Sequence, residues 1–150
     1  MGKEIERKWL LHSVPEDLES YPHHVIEQGY LNTSPVVRIR RQDDTYILTY
    51  KGGGFLAREE YNLPLNREAY EHLKTKIDGR LIAKTRYLIA LPDGLMIELD
   101  HFTSPHEGLY LAEIEFPSVE AAESYTAPDW FGRDVTYDPA YHNSVMSQIR

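Results

Sequence analysis

The feature that most constrains the fold of this chain is the alternation of charged and apolar residues in "KEIERKWLL", which begins at residue 3. Successive side chains of an extended strand point to opposite faces. Glu4, Glu6 and Lys8 therefore share one face. The other face carries the apolar residues Ile5 and Trp9. This segment is predicted to be a strand with one ionic face and one mainly apolar face.

The same parity recurs in further segments that are rich in Tyr, Ile, Val and Leu, which are typical strand residues. Turn-forming residues separate many of these segments, and the turn at 92–94 (Pro-Asp-Gly) between two alternating runs predicts a β-hairpin. The predicted strands are 4–11, 25–31, 36–42, 45–51, 57–64, 80–91, 95–102 and 108–116. The pattern predicts a mainly antiparallel sheet.

Charged residues of both signs follow one parity through these strands. Like charges are grouped: Glu4 lies beside Glu6, and Arg38 lies beside Arg40. The shared face carries seven cations and seven anions, namely Lys8, Arg38, Arg40, Lys51, Arg58, Lys84 and Arg86 against Glu4, Glu6, Glu60, Glu98, Asp100, Glu113 and Glu115.

An antiparallel sheet with one solvated face also alternates polar and apolar residues. Solvated faces usually mix Thr, Ser, Gln and Lys, whereas these positions are mainly Glu, Arg or Lys. Neighbours on one strand face are about 6.6 Å apart. Their repulsion rises from about 0.6 kcal/mol in water to about 2.5 kcal/mol at an effective dielectric constant of about 20. Inside a concave site, paired acids call for a metal cation and paired bases for a polyanion. A closed sheet would bring both kinds of pair around one lumen.

Composition restricts the class of protein. The length of 150 residues suits a single domain spanning 1–150. The net charge of -8 argues against a nucleic-acid-binding surface. No apolar run is long enough for a membrane span, and no apolar segment of the kind found in signal peptides follows the start. The absence of cysteine excludes disulfides and thiol catalysis. We therefore expect a soluble cytoplasmic protein.

Helical patterns interrupt the strands. Asn66 is predicted to cap a helix over 67–78 that Gly79 terminates. A short helix is predicted after Ser13, and weaker helical patterns cover 118–125 and 139–149. The order of elements suggests two βαβββ halves, an α+β arrangement.

The charged residues as a set resemble a known family. Glu4-x-Glu6-x-Lys8 resembles the ExExK signature of CYTH domains, the triphosphate tunnel metalloenzymes. The resemblance extends across essentially the whole chain, from Arg38-x-Arg40 through Glu113-x-Glu115 to Asn143. It implies an eight-stranded antiparallel β-tunnel, a closed barrel with a charged lumen and helices packed outside. It also implies a divalent cation, Mg²⁺ or Mn²⁺, and a substrate that carries a triphosphate.

Within this resemblance the residues receive hypothetical roles. Glu4, Glu6, Asp100, Glu113 and Glu115 are predicted to bind metal, with Glu60 as a further acidic group at the catalytic site. Lys8 either binds phosphate or acts as a general base. The residues predicted to bind phosphate are Lys8, Arg38, Arg40, Lys51, Arg58, Lys84 and Arg86. Catalysis is then mainly positioning and charge stabilisation at Glu4, Glu6, Lys8 and Glu60.

The expected function is hydrolysis of inorganic tripolyphosphate to pyrophosphate and phosphate, together with some activity on nucleoside triphosphates such as ATP or GTP. A class IV-type adenylyl cyclase, a thiamine triphosphatase and a non-catalytic polyphosphate- or nucleotide-binding module are the alternatives. The expected partner is a small molecule rather than nucleic acid or a membrane. The tyrosine-rich outer faces are compatible with a homodimer and equally with packing against helices.

Overall fold

Antiparallel strands make up most of the chain in a computed structural model, which describes residues 3–148. The strands are β1 (Glu4–Leu11), β2 (His23–Thr33), β3 (Val36–Gln42), β4 (Thr45–Lys51), β5 (Ala57–Arg58), β6 (Glu60–Leu65), β7 (Asp78–Ala90), β8 (Met96–Ser104), β9 (Tyr110–Glu115) and β10 (Phe131–Asp134). The helices are α1 (Arg67–Lys74), α2 (Val119–Ser124) and α3 (Asn143–Met146), with short 3-10 turns at Leu18–Ser20 and Pro139–Tyr141. No helix in this part of the chain is long and apolar enough to cross a bilayer.

The sheet closes on β1. Its strands follow the order β10-β1-β9-β8-β7-β2-β3-β4-β6, and β5 pairs with β1 through Glu4 and Arg58. Only Glu59 separates β5 from β6, so the two act as one interrupted strand that joins β4 to β1. Counted in this way, eight antiparallel strands form a closed barrel with helices outside, and the predicted fold class is confirmed. Strand β10 was not predicted; it extends the sheet beside the second half of β1.

Part of the outer surface of the barrel is apolar. Trp9, Leu99 and Ile114 are nearly or fully buried there, in a cluster that also contains Ala122 of α2 and Phe131 of β10. These outward residues have the opposite parity to Lys8, Asp100 and Glu113. The apolar face of the alternating pattern is therefore the one that the helices and the C-terminal strand cover.

The inner face is ionic over part of its length and apolar at one end. Ile82, Phe102 and Leu111 share the inward parity, and they pack with Met146 of α3 in a second buried cluster. Leu10 packs partly buried against the same cluster. The apolar cluster fills its part of the interior, so the charged side chains are confined to the remaining space.

Helix α1 is capped as predicted, since the Asn66 side chain accepts a hydrogen bond of 2.7 Å from the backbone N–H of Ala69. Tyr70 is fully buried, and its ring centroid lies 5.2 Å from that of Tyr46 on β4. The helix ends at Lys74, earlier than expected, because the chain from residue 78 onward pairs with β2. Gly79, predicted to terminate the helix, instead lies within β7 at φ 71°.

Two of the other local predictions agree with the structure and two differ from it. The hairpin at 92–94 is present between β7 and β8, with Gly94 at φ 88°. Ser118 caps α2 over nearly the predicted range. The helix predicted over 139–149 is divided into a 3-10 turn and α3, and its last residue lies outside the described part of the chain. In place of the helix expected after Ser13, a 3-10 turn forms at Leu18–Ser20.

Candidate active site

Charged side chains of both signs line a cavity of about 190 Å³ inside the barrel. Of the fourteen charged residues that share the inward parity, only Lys84 and Asp100 are not part of its wall. The C-terminal segment 142–144 completes the wall. The closed sheet thus brings together Glu4, Glu6, Lys8, Arg38, Arg40, Lys51, Arg58, Glu60, Arg86, Glu98, Glu113 and Glu115.

Strand register concentrates carboxylates at one place in the cavity. Glu113 on β9 lies directly opposite Lys8 on one side and Glu98 on the other, and Glu6 lies opposite Glu115. Carboxylate oxygens of Glu6, Glu98 and Glu113 lie within 4.8 Å of one another. Three oxygen donors at this spacing can coordinate a divalent cation, because Mg²⁺ and Mn²⁺ prefer carboxylate oxygens.

The acidic cluster is electrostatically unfavourable by itself. Burial raises the pKa of Glu6 well above its ordinary value near 4.5, and the charges of Glu113 and Glu4 raise it further. The ammonium groups of Lys51 and Lys8 offset only part of this effect. A bound cation would favour the ionised form of Glu6, so this donor set fits a metal ion.

Glu113 is the best compensated of the three acids. Its carboxylate lies 3.1 Å from Lys8 Nζ and 3.1 Å from a terminal nitrogen of Arg86. Burial raises the pKa of Glu113, but the charges of Lys8 and Arg86 outweigh burial and hold it well below the ordinary value. Burial likewise lowers the pKa of Lys8, while Glu113 and Glu6 raise it by more. Lys8 is therefore a cation at neutral pH.

The two arginines of β3 have no carboxylate in salt-bridge contact among the described residues. Arg38 and Arg40 are 6% and 9% exposed, and neither forms a salt bridge within residues 3–148. Arg38 donates to the Thr49 hydroxyl at 3.2 Å, whereas its buried Nε has no hydrogen-bond partner in the same range. Arg40 Nε donates to the Gln28 side-chain oxygen at 2.9 Å. Burial, together with the charges of Arg38 and Arg86, lowers the pKa of Arg40 to about 9. A buried polyanion would compensate both guanidinium groups.

A buried ionic network joins Arg86 of the cavity wall to Asp100 and Lys84 behind it. Asp100 accepts two hydrogen bonds from Arg86, at 2.8 and 2.9 Å, and its other charged contact is Lys84 Nζ at 2.7 Å. Burial raises the pKa of Asp100, but Arg86 and Lys84 outweigh it and the pKa is lowered. Lys84 also donates to the Asn143 side chain at 3.3 Å. Asp100 therefore fixes the guanidinium of Arg86, and Asp100 and Lys84 both lie outside the wall of the open cavity.

A third group of charges lies where β5 and β6 close the barrel. Lys51 Nζ is 2.9 Å from Glu4 Oε1 and 3.7 Å from Glu60 Oε2. Arg58 Nε donates to the backbone oxygen of Gly52 at 3.1 Å. Lys51 at the end of β4 thus contacts acids of both β1 and β6, the strands that meet where the barrel closes.

Several wall residues were missed or left without a role by sequence reasoning. Glu98 was placed on the ionic face, but Asp100 of the same strand was preferred as a ligand. Tyr30 is 3% exposed and lies opposite Arg38 in the β2–β3 register, so the parity of β2 carried a usable signal. His142 lies in an irregular segment without periodicity, where no pattern identified it.

Sequence and structure comparisons extend over nearly the whole chain. A sequence model of the CYTH domain family matches residues 2–137. An inorganic triphosphatase of Nitrosomonas europaea is 40% identical over 148 residues, which is 96% of each chain. An inorganic triphosphatase of Acetivibrio thermocellus is 38% identical over 152 residues, which is 97% of this chain and 94% of the relative. The crystal structure of the inorganic triphosphatase NE1496 matches with a TM-score of 0.72 at 35% identity, over 98% of this chain and 95% of that one. With its barrel and ionic lumen, this chain belongs to the CYTH domain family.

Proposed function

We propose that this protein is a divalent-metal-dependent triphosphatase that hydrolyses inorganic tripolyphosphate to pyrophosphate and phosphate. The observation that carries the proposal is one cavity whose wall holds two buried arginines without a salt bridge among the described residues, Arg38 and Arg40, together with three converging carboxylates. A linear triphosphate complexed with a divalent cation supplies both of the missing charges. The inorganic triphosphatases to which the chain is similar over nearly its full length support the same function.

In this proposal the basic residues position the phosphates. Arg38 and Arg40 bind phosphate oxygens, since their guanidinium groups have free donors and no acidic partner among the described residues. Arg86 is held by two hydrogen bonds to Asp100, and its terminal nitrogens also contact Glu113 and Glu98, so its guanidinium holds these two acids of the cavity wall in place. Lys51 and Arg58 extend the basic wall toward the closing strands. Positioning and charge stabilisation of this kind are the main contributions to phosphoryl transfer.

Glu6, Glu98 and Glu113 would hold the cation, and Glu4 and Glu115 lie on the same wall as further acidic ligands. Mg²⁺ or Mn²⁺ fits such hard oxygen ligands, and it would supply Lewis-acid stabilisation and a lowered pKa for bound water. Lys8 acts as a phosphate-binding cation in this scheme, because its Nζ keeps its proton beside Glu113 and Glu6. Glu60 positions Lys51.

The size of the cavity favours the inorganic substrate over its alternatives. At about 190 Å³ it is small, and most of the residues in its wall are charged. A non-catalytic polyphosphate-binding module would gain nothing from three converging carboxylates. An adenylyl cyclase or thiamine triphosphatase would need room for a base or a thiazolium ring beside the triphosphate.

The test is a substrate panel. The protein is incubated with tripolyphosphate, ATP or thiamine triphosphate, with Mg²⁺, Mn²⁺ or EDTA, and phosphate and cyclic AMP are measured. We expect phosphate release from tripolyphosphate in the presence of metal and none in EDTA. The Arg38→Ala variant should lose most of this activity, whereas Glu123→Gln, an exposed substitution on α2, should retain it. Cyclic AMP without phosphate release, or tight binding of tripolyphosphate without product, would overturn the proposal.

A further inference from the structure

His142 brings an imidazole to the cavity wall, between the 3-10 turn at Pro139–Tyr141 and α3. Its Nε2 lies 2.8 Å from the backbone oxygen of Thr136. Because a carbonyl oxygen can only accept, Nε2 carries a proton, and in the neutral ring the lone pair is then on Nδ1. Nδ1 has no hydrogen-bond partner within residues 3–148, and it is not among the atoms sealed from solvent. His142 therefore offers one unused, accessible ring nitrogen, and the residue is part of the cavity wall.

Thr136 holds this ring in a fixed relation to Lys8. The Thr136 side chain, in a residue that is 2% exposed, accepts a hydrogen bond of 3.0 Å from the backbone N–H of Lys8. The backbone N–H of Val135 donates to the Lys8 oxygen at 2.8 Å. The Lys8 ammonium in turn donates to the backbone oxygen of Tyr141 at 2.9 Å. The residue that binds His142 thus also anchors a central cation of the ionic wall.

The His142 ring also meets Phe55 edge to face, with the two ring centroids 5.3 Å apart at an interplanar angle of 78°. The charged groups that face the ring are Lys8 from β1, Arg58 from β5 and, more weakly, Glu113 from β9. Burial lowers the pKa of His142 below its ordinary value near 6.5, and the charge of Lys8 lowers it further. Without an anion in the cavity, the ring is therefore neutral at pH 7.

A triphosphate bound against Lys8 and Arg58 would reverse the sign of the local potential. Nearby negative charge favours the imidazolium form, in which both ring nitrogens donate. We propose that His142 takes up a solvent proton on Nδ1 when the triphosphate binds, and donates this N–H to a phosphate oxygen. His142 is then a substrate-binding residue whose contribution grows as the pH falls. The inference rests on the proposed function and adds a pH-dependent contact to the same site.

Two substitutions separate the hydrogen bond to Thr136 from the titration. His142→Gln keeps an N–H that can reach the Thr136 oxygen but has no group that titrates near neutrality. His142→Lys keeps a cation that does not depend on pH in this range. His12→Asn serves as the matched control, because His12 is exposed and lies outside the cavity wall.

The first measurement is calorimetric titration of each protein with imidotriphosphate, a non-hydrolysable triphosphate, with excess Mg²⁺ and again in EDTA. Each titration is made at pH 7.5 in two buffers of different ionisation enthalpy, which gives the number of protons taken up. Wild type and His12→Asn should take up more protons than His142→Gln, by up to about one per site. The second measurement is the pH dependence of Kd. Between pH 8.5 and 6, affinity should rise about tenfold more in wild type than in His142→Gln, as expected for gain of one charge-assisted hydrogen bond. His142→Lys should bind tightly at both pH values.

Equal proton uptake and parallel pH profiles in wild type and His142→Gln, with both folded by circular dichroism, would overturn the role of His142. If tripolyphosphate is still hydrolysed in that case, the proposed function stands without this contact. Proton-linked binding without hydrolysis of tripolyphosphate would support the contact and refute the triphosphatase function. Absence of any binding of imidotriphosphate would overturn both.

Discussion

Replacing Glu6 with Gln should make the metal-free protein more stable while removing its metal-dependent activity. Burial and the neighbouring charges of Glu113 and Glu4 raise the pKa of Glu6, so its ionised form costs stability in the folded state. Gln has nearly the same shape and carries no charge. We therefore expect the Glu6→Gln variant to have a higher free energy of unfolding than the wild type.

The size of the effect follows from the geometry of the cluster. Oxygens of Glu6, Glu98 and Glu113 lie within 4.8 Å of one another. At that separation the repulsion of one pair is about 3.5 kcal/mol at an effective dielectric constant of about 20, and about 0.9 kcal/mol in water. Glu6 is partly solvent-accessible, and Lys51 and Lys8 offset part of the repulsion. A gain of about 1–2 kcal/mol is expected, which for a chain of this length raises Tm by about 2–8 °C.

The assay is thermal unfolding in EDTA at several pH values. The pKa of Glu6 is raised in the folded state. At pH values below the ordinary pKa near 4.5, Glu6 therefore costs no stability, and the cost develops as the pH rises through the folded-state pKa. The difference between variant and wild type should be largest at pH 8 and should shrink as the pH is lowered toward 4.5. Added Mg²⁺ or Mn²⁺ should stabilise the wild type more than the variant.

Glu123→Gln, which removes an exposed carboxylate from α2, controls for the loss of one negative charge and should leave Tm within about 1 °C. If the folded Glu6→Gln variant in EDTA at pH 8 is no more stable than the wild type, the electrostatic description of the acidic cluster is wrong.

Three further outcomes are expected. Arg38→Ala should raise KM for tripolyphosphate by about 10- to 100-fold, because a charge-assisted contact is lost. Arg38→Lys should be intermediate, because it keeps the charge but loses the paired donors of the guanidinium. Phosphate release across substrate concentrations measures KM, and an unchanged KM in Arg38→Ala would contradict the assignment. Asp100→Asn should destabilise the protein by about 3–5 kcal/mol in urea unfolding, since Lys84 and Arg86 lose a buried counter-charge; a near-neutral result would show that the network does not need Asp100. EDTA should abolish phosphate release and Mg²⁺ or Mn²⁺ should restore it, whereas full turnover in EDTA would exclude a metal role for Glu6 and Glu113.

The ionic lumen was predictable because strand parity is a local property. Glu4, Glu6 and Lys8 share a face whatever the rest of the chain does, and the grouping of like charges indicated that this face points inward. The Asn66 cap and the hairpin at 92–94 depend on short-range chemistry and were predicted for the same reason. The length of α1 was not predicted correctly, because the pairing of β7 with β2 ends the helix earlier than the local sequence pattern indicates.

Choosing among inward-facing acids required tertiary information. Glu98 and Asp100 have the same parity, but Asp100 lies deeper, between Arg86 and Lys84, while Glu98 lies opposite Glu113 at the open cavity. Depth along the barrel depends on register and closure, which alternation along one strand does not encode. His142 depends on a hydrogen bond to Thr136 within an irregular segment, and no periodic pattern could have identified it.

The pairing of β1 has a consequence for how the protein is made. One edge of β1 pairs with β9, and the other is divided between β5 and β10, so every partner lies at least 46 residues further along the chain. During synthesis β1, which bears Glu6 and Lys8, emerges before the other strands, and its pairing is complete only after β10 has been synthesised. Contacts this distant in sequence form slowly, and an unpaired strand meanwhile invites association with other chains. Nascent fragments that stop short of residue 110 lack β9, which carries Glu113 and places it opposite Lys8, so the acidic cluster is complete only after β9 has been synthesised.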